Sequence, residues 1–127
     1  TLTTTDCVTI SGSLVVTDRI TELSAERFKE NIQPLVNSLE KTIQLEGVSF
    51  NKIGKTETEI GFIAEQVAQI YPEFIEYDSS GKEVVGIQYS RVTAALLESI
   101  KELNTRITSQ QIFIDSLAAR IEKLENK

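Results

Sequence analysis

The chain predicts an α+β fold. A small mixed helix/strand domain runs into a long C-terminal helix of coiled-coil type, and short β-strands precede it. Three observations carry this reading. Residues 1–17 are rich in Thr and β-branched residues, and Val8 and Ile10 alternate with Cys7, Thr9 and Ser11, which is a strand period. Residues 34–89 alternate short helical and strand spacings. Over residues 96–124, Ile and Leu recur at heptad spacing, the period of a supercoiled helix.

The elements follow in order. Gly12 and its flanking serines divide residues 1–17 into two short strands. Such strands cannot bury both faces alone and suggest the last turns of an extended β structure, shared between chains. A helix is expected from Pro34, which suits a first helical position. Its apolar stripe is Leu35, Val36, Leu39 and Ile43, and Gly47 is its expected stop. Val48, Phe50 and Ile53 alternate as a strand, and residues 55–59 read as a polar loop. A second helix is expected over residues 62–71, with Ile63, Val67, Ile70 and Tyr71 on one face and Pro72 as a stop signal. Residues 74–77 and 83–87 read as two strands joined by the polar hairpin loop 78–82.

Ser90 is the expected cap of the last helix. Ile100, Ile107, Ile114 and Ile121 take heptad position a. Leu96, Leu103, Gln110, Leu117 and Leu124 take position d, with Gln110 the one polar break and a register device. This seam spans about 45 Å at 1.5 Å per residue. Arg120 at g can meet Glu125 at e of a parallel neighbour. Ile at a with Leu at d nominally favours a parallel dimer. The bland alternative is a helix packed only on its own domain, but a strict 3.5-residue period favours a supercoil.

Composition narrows the chemistry. The chain has 127 residues, with 13 Lys and Arg against 19 Asp and Glu, for a formal net charge of -6. That argues against a general binder of nucleic acid or anionic membrane, since both need a basic face. There is no His and one Cys, Cys7. Ser-His-Asp catalysis, Cys-His catalysis and the common zinc sites are excluded within one chain. No cofactor is expected, because neither a nucleotide-binding motif nor a metal constellation stands out. Cys7 reads as a small buried apolar residue, with a reactive thiol as the less common alternative. No apolar run approaches the roughly 20 residues of a membrane span. The first residue is Thr1 and no signal-peptide pattern follows, so the chain reads as a C-terminal piece of something longer.

The remaining nucleophiles are Ser, Thr and Lys. A serine can be activated by a neutral lysine within hydrogen-bond reach, and a lysine amine becomes neutral when buried or placed near positive charge. Ser24 and Lys29, with Arg27 between them, are a candidate pair. On spacing alone, a helix-capping serine and a solvated lysine are the commoner reading.

The stretch Ser24-Ala25-Glu26-Arg27-Phe28-Lys29-Glu30-Asn31-Ile32 resembles the opening signature of the S74 peptidase family. These are the C-terminal intramolecular chaperone domains of phage tail spikes, tail fibres and endosialidases, with a related domain in a membrane-anchored animal transcription factor. The resemblance continues through Leu35, Leu39, Leu45 and Gly47-Val48-Ser49-Phe50. It returns in Ile60-Gly61-Phe62-Ile63-Ala64-Glu65-Gln66-Val67 and Pro72-Glu73. It ends with Val85-Gly86-Ile87-Gln88-Tyr89, Leu96-Leu97 and Ile100-Lys101-Glu102-Leu103. It covers residues 24–127.

The resemblance implies a division at 23/24. Residues 1–23 are then the end of a β-rich client fibre, and residues 24–127 the intramolecular chaperone, with an α+β part at 24–89 and a coiled-coil helix at 90–127. It implies a homotrimer, which overrules the dimer preference and makes the helix a parallel three-stranded coil. The client is the upstream fibre of the same polypeptide; neither nucleic acid nor membrane is an expected partner. The scissile bond joins Leu23 to Ser24, with Ser24 as nucleophile and Lys29 as general base. Arg27 is a supporting residue that orients the segment or acts on the lysine; a surface ion pair is its alternative. Glu30 and Asn31 read as structural. Assembly is expected in the host cytoplasm, with the client retained in the virion tail and the chaperone released.

One position departs from the family pattern: Ala25 stands where an aspartate is common. Three readings follow. The leading one is a trimeric, self-cleaving assembly chaperone. A second is an uncleaved structural trimerisation module of a tail fibre. A third is a permanent receptor-binding tip that uses the loops at 56–59 and 78–82, although no aromatic-rich patch supports it.

Overall fold

In the computed structural model, which describes residues 1–127, the chain divides into two units, Thr1–Gln33 and Pro34–Lys127. This division falls ten residues beyond the expected client boundary at 23/24.

In the first unit the expected strands do not form. Residues 1–23 are exposed and free of helix or strand, with bends at residues 5–6, 11–12 and 17–18, and no backbone hydrogen bond joins any of them to another. A strand exists only through a ladder with a neighbour, and this segment pairs with nothing in its own chain. Cys7 is exposed rather than buried, because no second layer covers it. The one regular feature is a 3-10 turn at Glu26–Phe28.

The second unit holds three helices and two small antiparallel sheets. The first helix, α1 (Ser38–Thr42), is shorter than its apolar stripe predicts. Asn37 adopts a left-handed conformation, with φ 56° and ψ 31°, which Asn tolerates better than most residues. The helix therefore begins after Leu35 and Val36, and both stay exposed. Gly47 does not stop it; the chain leaves through successive turns, Gln44 N–H to Lys41 O at 3.1 Å and Leu45 N–H to Thr42 O at 3.0 Å. Ile43 ends up exposed, and Leu39 alone of the stripe is buried.

Strand β1 (Val48–Phe50) pairs with β2 (Glu59–Gly61), with Ser49 opposite Ile60. The second strand begins at Glu59, the last residue of the expected polar loop, and takes in Ile60 and Gly61, which lay between that loop and the expected helix. Helix α2 (Ala64–Ile70) buries Val67. Ile63 precedes this helix in extended backbone and is exposed rather than on its buried face. Pro72 opens a 3-10 turn, Pro72–Phe74, so Phe74 is not part of the next strand. Strand β3 (Ile75–Tyr77) pairs with β4 (Val84–Ile87), with an irregularity between Glu76 and Tyr77. Asp78 organises the hairpin loop: its Oδ1 accepts from the Ser80 hydroxyl at 2.6 Å and from the backbone N–H groups of Lys82 and Glu83.

The long helix α3 covers Tyr89–Glu125. Gln88, not Ser90, is its N-cap residue, and no side chain caps it. Gln88 is pinned by the sheet: its N–H donates to Phe74 O at 2.7 Å and its amide to Glu76 at 2.6 Å. The helix thus starts directly after the strand and takes Ser90 inside it.

The core is one cluster of Val67, Tyr71, Phe74, Ile75, Val92 and Ala95. Tyr71 and Phe74 stack with ring centroids 4.4 Å apart. Burial of six such side chains is a modest core. Hydroxyls lock α1 beside it. Tyr71 donates to Ser38 O at 3.2 Å, its oxygen meets the Thr42 hydroxyl at 3.1 Å, and Ser99 donates to Thr42 at 2.9 Å. Glu102 completes the joint by accepting the N–H groups of Ser38 and Leu39, one on each carboxylate oxygen, both at 3.1 Å. These are orphan donors of the first turn of α1, and the negative charge suits a helix N-terminus.

Candidate functional site

Ser24 and Lys29 come together in the first unit. Two backbone bonds close the 3-10 turn between them: Phe28 N–H to Ala25 O at 3.0 Å and Lys29 N–H to Glu26 O at 2.9 Å. This turn reverses the chain, so that a lysine five residues on reaches back to the serine. Lys29 Nζ donates to Ser24 Oγ at 2.5 Å and to the Ser24 carbonyl oxygen at 2.7 Å. The two groups are within hydrogen-bond reach, the placement a base needs to take the hydroxyl proton once its amine is neutral. Both residues are exposed, and Ala25 is half-buried.

The neighbouring signature residues are also placed. Arg27 makes no ion pair; its guanidinium lies 4.6 Å from the centroid of the Phe28 ring. This cation–π contact holds Arg27 along the turn. Asn31 takes φ 55°, a left-handed bend that redirects the chain after the lysine. Glu30 is exposed.

The other signature motifs serve the second unit. Gly61 faces the Tyr89 hydroxyl so closely that a Cβ there would lie 2.7 Å from it. The Tyr89 hydroxyl accepts the N–H of Phe62 at 3.2 Å, and the two rings stack at 6.0 Å. The Gly61-Phe62 and Gln88-Tyr89 motifs therefore form one joint between the β1–β2 hairpin and the start of α3. Sequence reading missed two further groups, Glu102 as cap of α1 and the Ser99–Thr42–Tyr71 hydroxyl chain. Both join residues more than 25 positions apart, which local spacing does not signal.

The seam residues of α3 are unpaired in the chain. Ile100 and Ile107 are each 61% exposed, and Leu117, the most covered of the apolar seam residues, is 37% exposed. No group of three or more His, Cys, Asp or Glu side chains is arranged to hold a metal. No helix is long and apolar enough to cross a membrane.

Residues 24–76 match the family model of peptidase S74, described as chaperone of endosialidase. The resemblance read from the signature holds over that stretch, which begins at Ser24. Two curated relatives are the long tail fiber proteins Gp37 of Enterobacteria phages K3 and T2. Each is 33% identical over 88 residues, covering 64% of this chain. The chain spans only 7% of the length of either fibre protein.

Proposed function

We propose that the chain is an intramolecular chaperone of a phage tail fibre, which trimerises through the α3 seam and then frees itself by cutting between Leu23 and Ser24. The observation that carries this reading is the 2.5 Å approach of Lys29 Nζ to Ser24 Oγ, at the first residue of the S74 match. The tail fibre relatives support the client class.

The chemistry balances within the chain. Ser24 Oγ attacks the carbonyl carbon of Leu23, and Lys29 takes the hydroxyl proton. The C–N bond breaks as the C–O bond forms, and the proton passes to the departing Ser24 nitrogen. Water then hydrolyses the ester, which leaves a carboxylate on Leu23 and restores the Ser24 hydroxyl. Holding one bond against one hydroxyl replaces substrate binding with proximity. An aqueous lysine amine holds its proton at neutral pH, so the step requires the site to lose water first. Burial by neighbouring copies supplies that condition and ties cutting to assembly. Before cutting, three coils held together raise the effective concentration of the client strands, whose non-local pairing is otherwise slow.

The uncleaved module is the second reading. The exposure of Ser24 and Lys29 and the apolar Ala25 in place of a carboxylate favour it. Intact mass spectrometry separates the two. The cleaving reading expects fragments 1–23 and 24–127 from the parent and one intact chain from Ser24→Ala and from Lys29→Ala. An uncut parent, or equal cutting in all three, contradicts it.

A further inference from the structure

The trimer reading leaves one apolar surface of α3 without a role. Around a heptad helix the positions run a, e, b, f, c, g, d. The α+β part of the chain sits on the c and g side, where Val92 and Ser99 at g and Ala95 at c are buried. Glu102 at c is bonded to α1. Opposite lies the e and b side. There Leu97 at e is 56% exposed and Ala94 at b is also exposed. Further down, the same side turns polar, with Lys101, Asn104, Thr108 and Gln111. The apolar e/b patch therefore extends along the helix only as far as the α+β part does on the other side.

In a parallel coiled coil the g side of one helix adjoins the e side of the next. Here each g side, from Val92 to Ser99, already carries its own α+β part. The neighbour's Leu97 must then meet that part rather than a bare helix. We infer that Leu97 and Ala94 of each copy dock on the α+β part of the adjacent copy, forming a second interface outside the a/d seam. The receiving surface lies beside Val92 and Ser99, where α1 and the Pro72–Phe74 turn pack on α3. This interface rests on the trimer reading. It gives each α+β part an apolar neighbour on its outer surface, beyond the core that its own chain already buries.

The test places a photo-crosslinking amino acid at position 97 of the full chain, with Ala118, an e position below the α+β part, as control. Light and heavy isotopic copies are mixed, assembled and irradiated, and the linked peptides are identified by mass. Light–heavy links from position 97 to residues 34–44 or 71–75 are expected, with position 118 linking only to helix residues. Leu97→Gln in the same chain is expected to lower the thermal midpoint of the trimer by about 4 °C, and Asn104→Gln to leave it unchanged. A trimer by light scattering whose position 97 links only to helix residues, or only within one copy, overturns the second interface and leaves the trimer reading standing. A monomer by light scattering overturns both.

Discussion

The two ends of α3 are built from the same kind of residues and behave differently. In the first turns, Ala95 is 1% exposed and Val92 6%, because the α+β part covers the c and g positions. Beyond Glu102, Ile107, Ile114 and Ile121 are all more than half exposed, with nothing in the chain to cover them. The chain itself covers the c and g side of the first turns and leaves the seam beyond them uncovered. A sequence of ordinary hydrophobicity can thus hold a self-sufficient core and an unsatisfied one on a single helix. The side of the helix, not the apolar content, decides which is which.

The largest break in this contrast comes at the bare end. Replacing both Ile107 and Ile114 with Asp puts charges into the seam, where an unpaired buried charge is strongly unfavourable. Light scattering is expected to give the mass of one chain, while the helical circular dichroism of the α+β part persists. At the finished end, Phe74→Ala should cost about 3–5 kcal/mol in chemical denaturation, because it empties a packed site. Glu102→Ala sits between the two regions. It strands the N–H groups of Ser38 and Leu39 and should cost about 1–3 kcal/mol, with faster hydrogen exchange at those two amides. The smallest effect belongs to the hairpin loop. Hydrogen bonds from Ser80, and from the backbone of Glu83 and Lys82, lower the Asp78 carboxyl below its ordinary value of 3.8. Its folded value is depressed, so its contribution is complete above the unfolded value. It is lost as pH falls from there through the folded value. An acid titration by NMR should show the loop loosening in that window, and Asp78→Asn should remove the dependence.

The same contrast explains what was legible in the sequence. The long helix α3 and the β3–β4 hairpin were readable, because helical periodicity and turn residues act locally. Helix α1 was not, since its start depends on a left-handed Asn37 and on Glu102 from far along the chain. Strand β2 is short and has meaning only opposite β1. Residues 1–23 carry strand composition without a ladder, because composition sets preference and pairing sets structure. At the candidate site, Ser24 and Lys29 stood out through the resemblance rather than their spacing. The turn that joins them was hidden in Glu26, Arg27 and Phe28, which carry no strong turn signal.

The central claim is that closing the bare seam switches on the cut, and one time course tests it. The parent and the Ile107→Asp/Ile114→Asp chain are incubated at equal concentration, and the appearance of a fragment beginning at Ser24 is followed by mass. The parent is expected to assemble and cut, and the substituted chain to stay monomeric and cut at least about a hundredfold more slowly, the scale of a lost general base. A monomer that releases the same fragment at the parent's rate contradicts the claim.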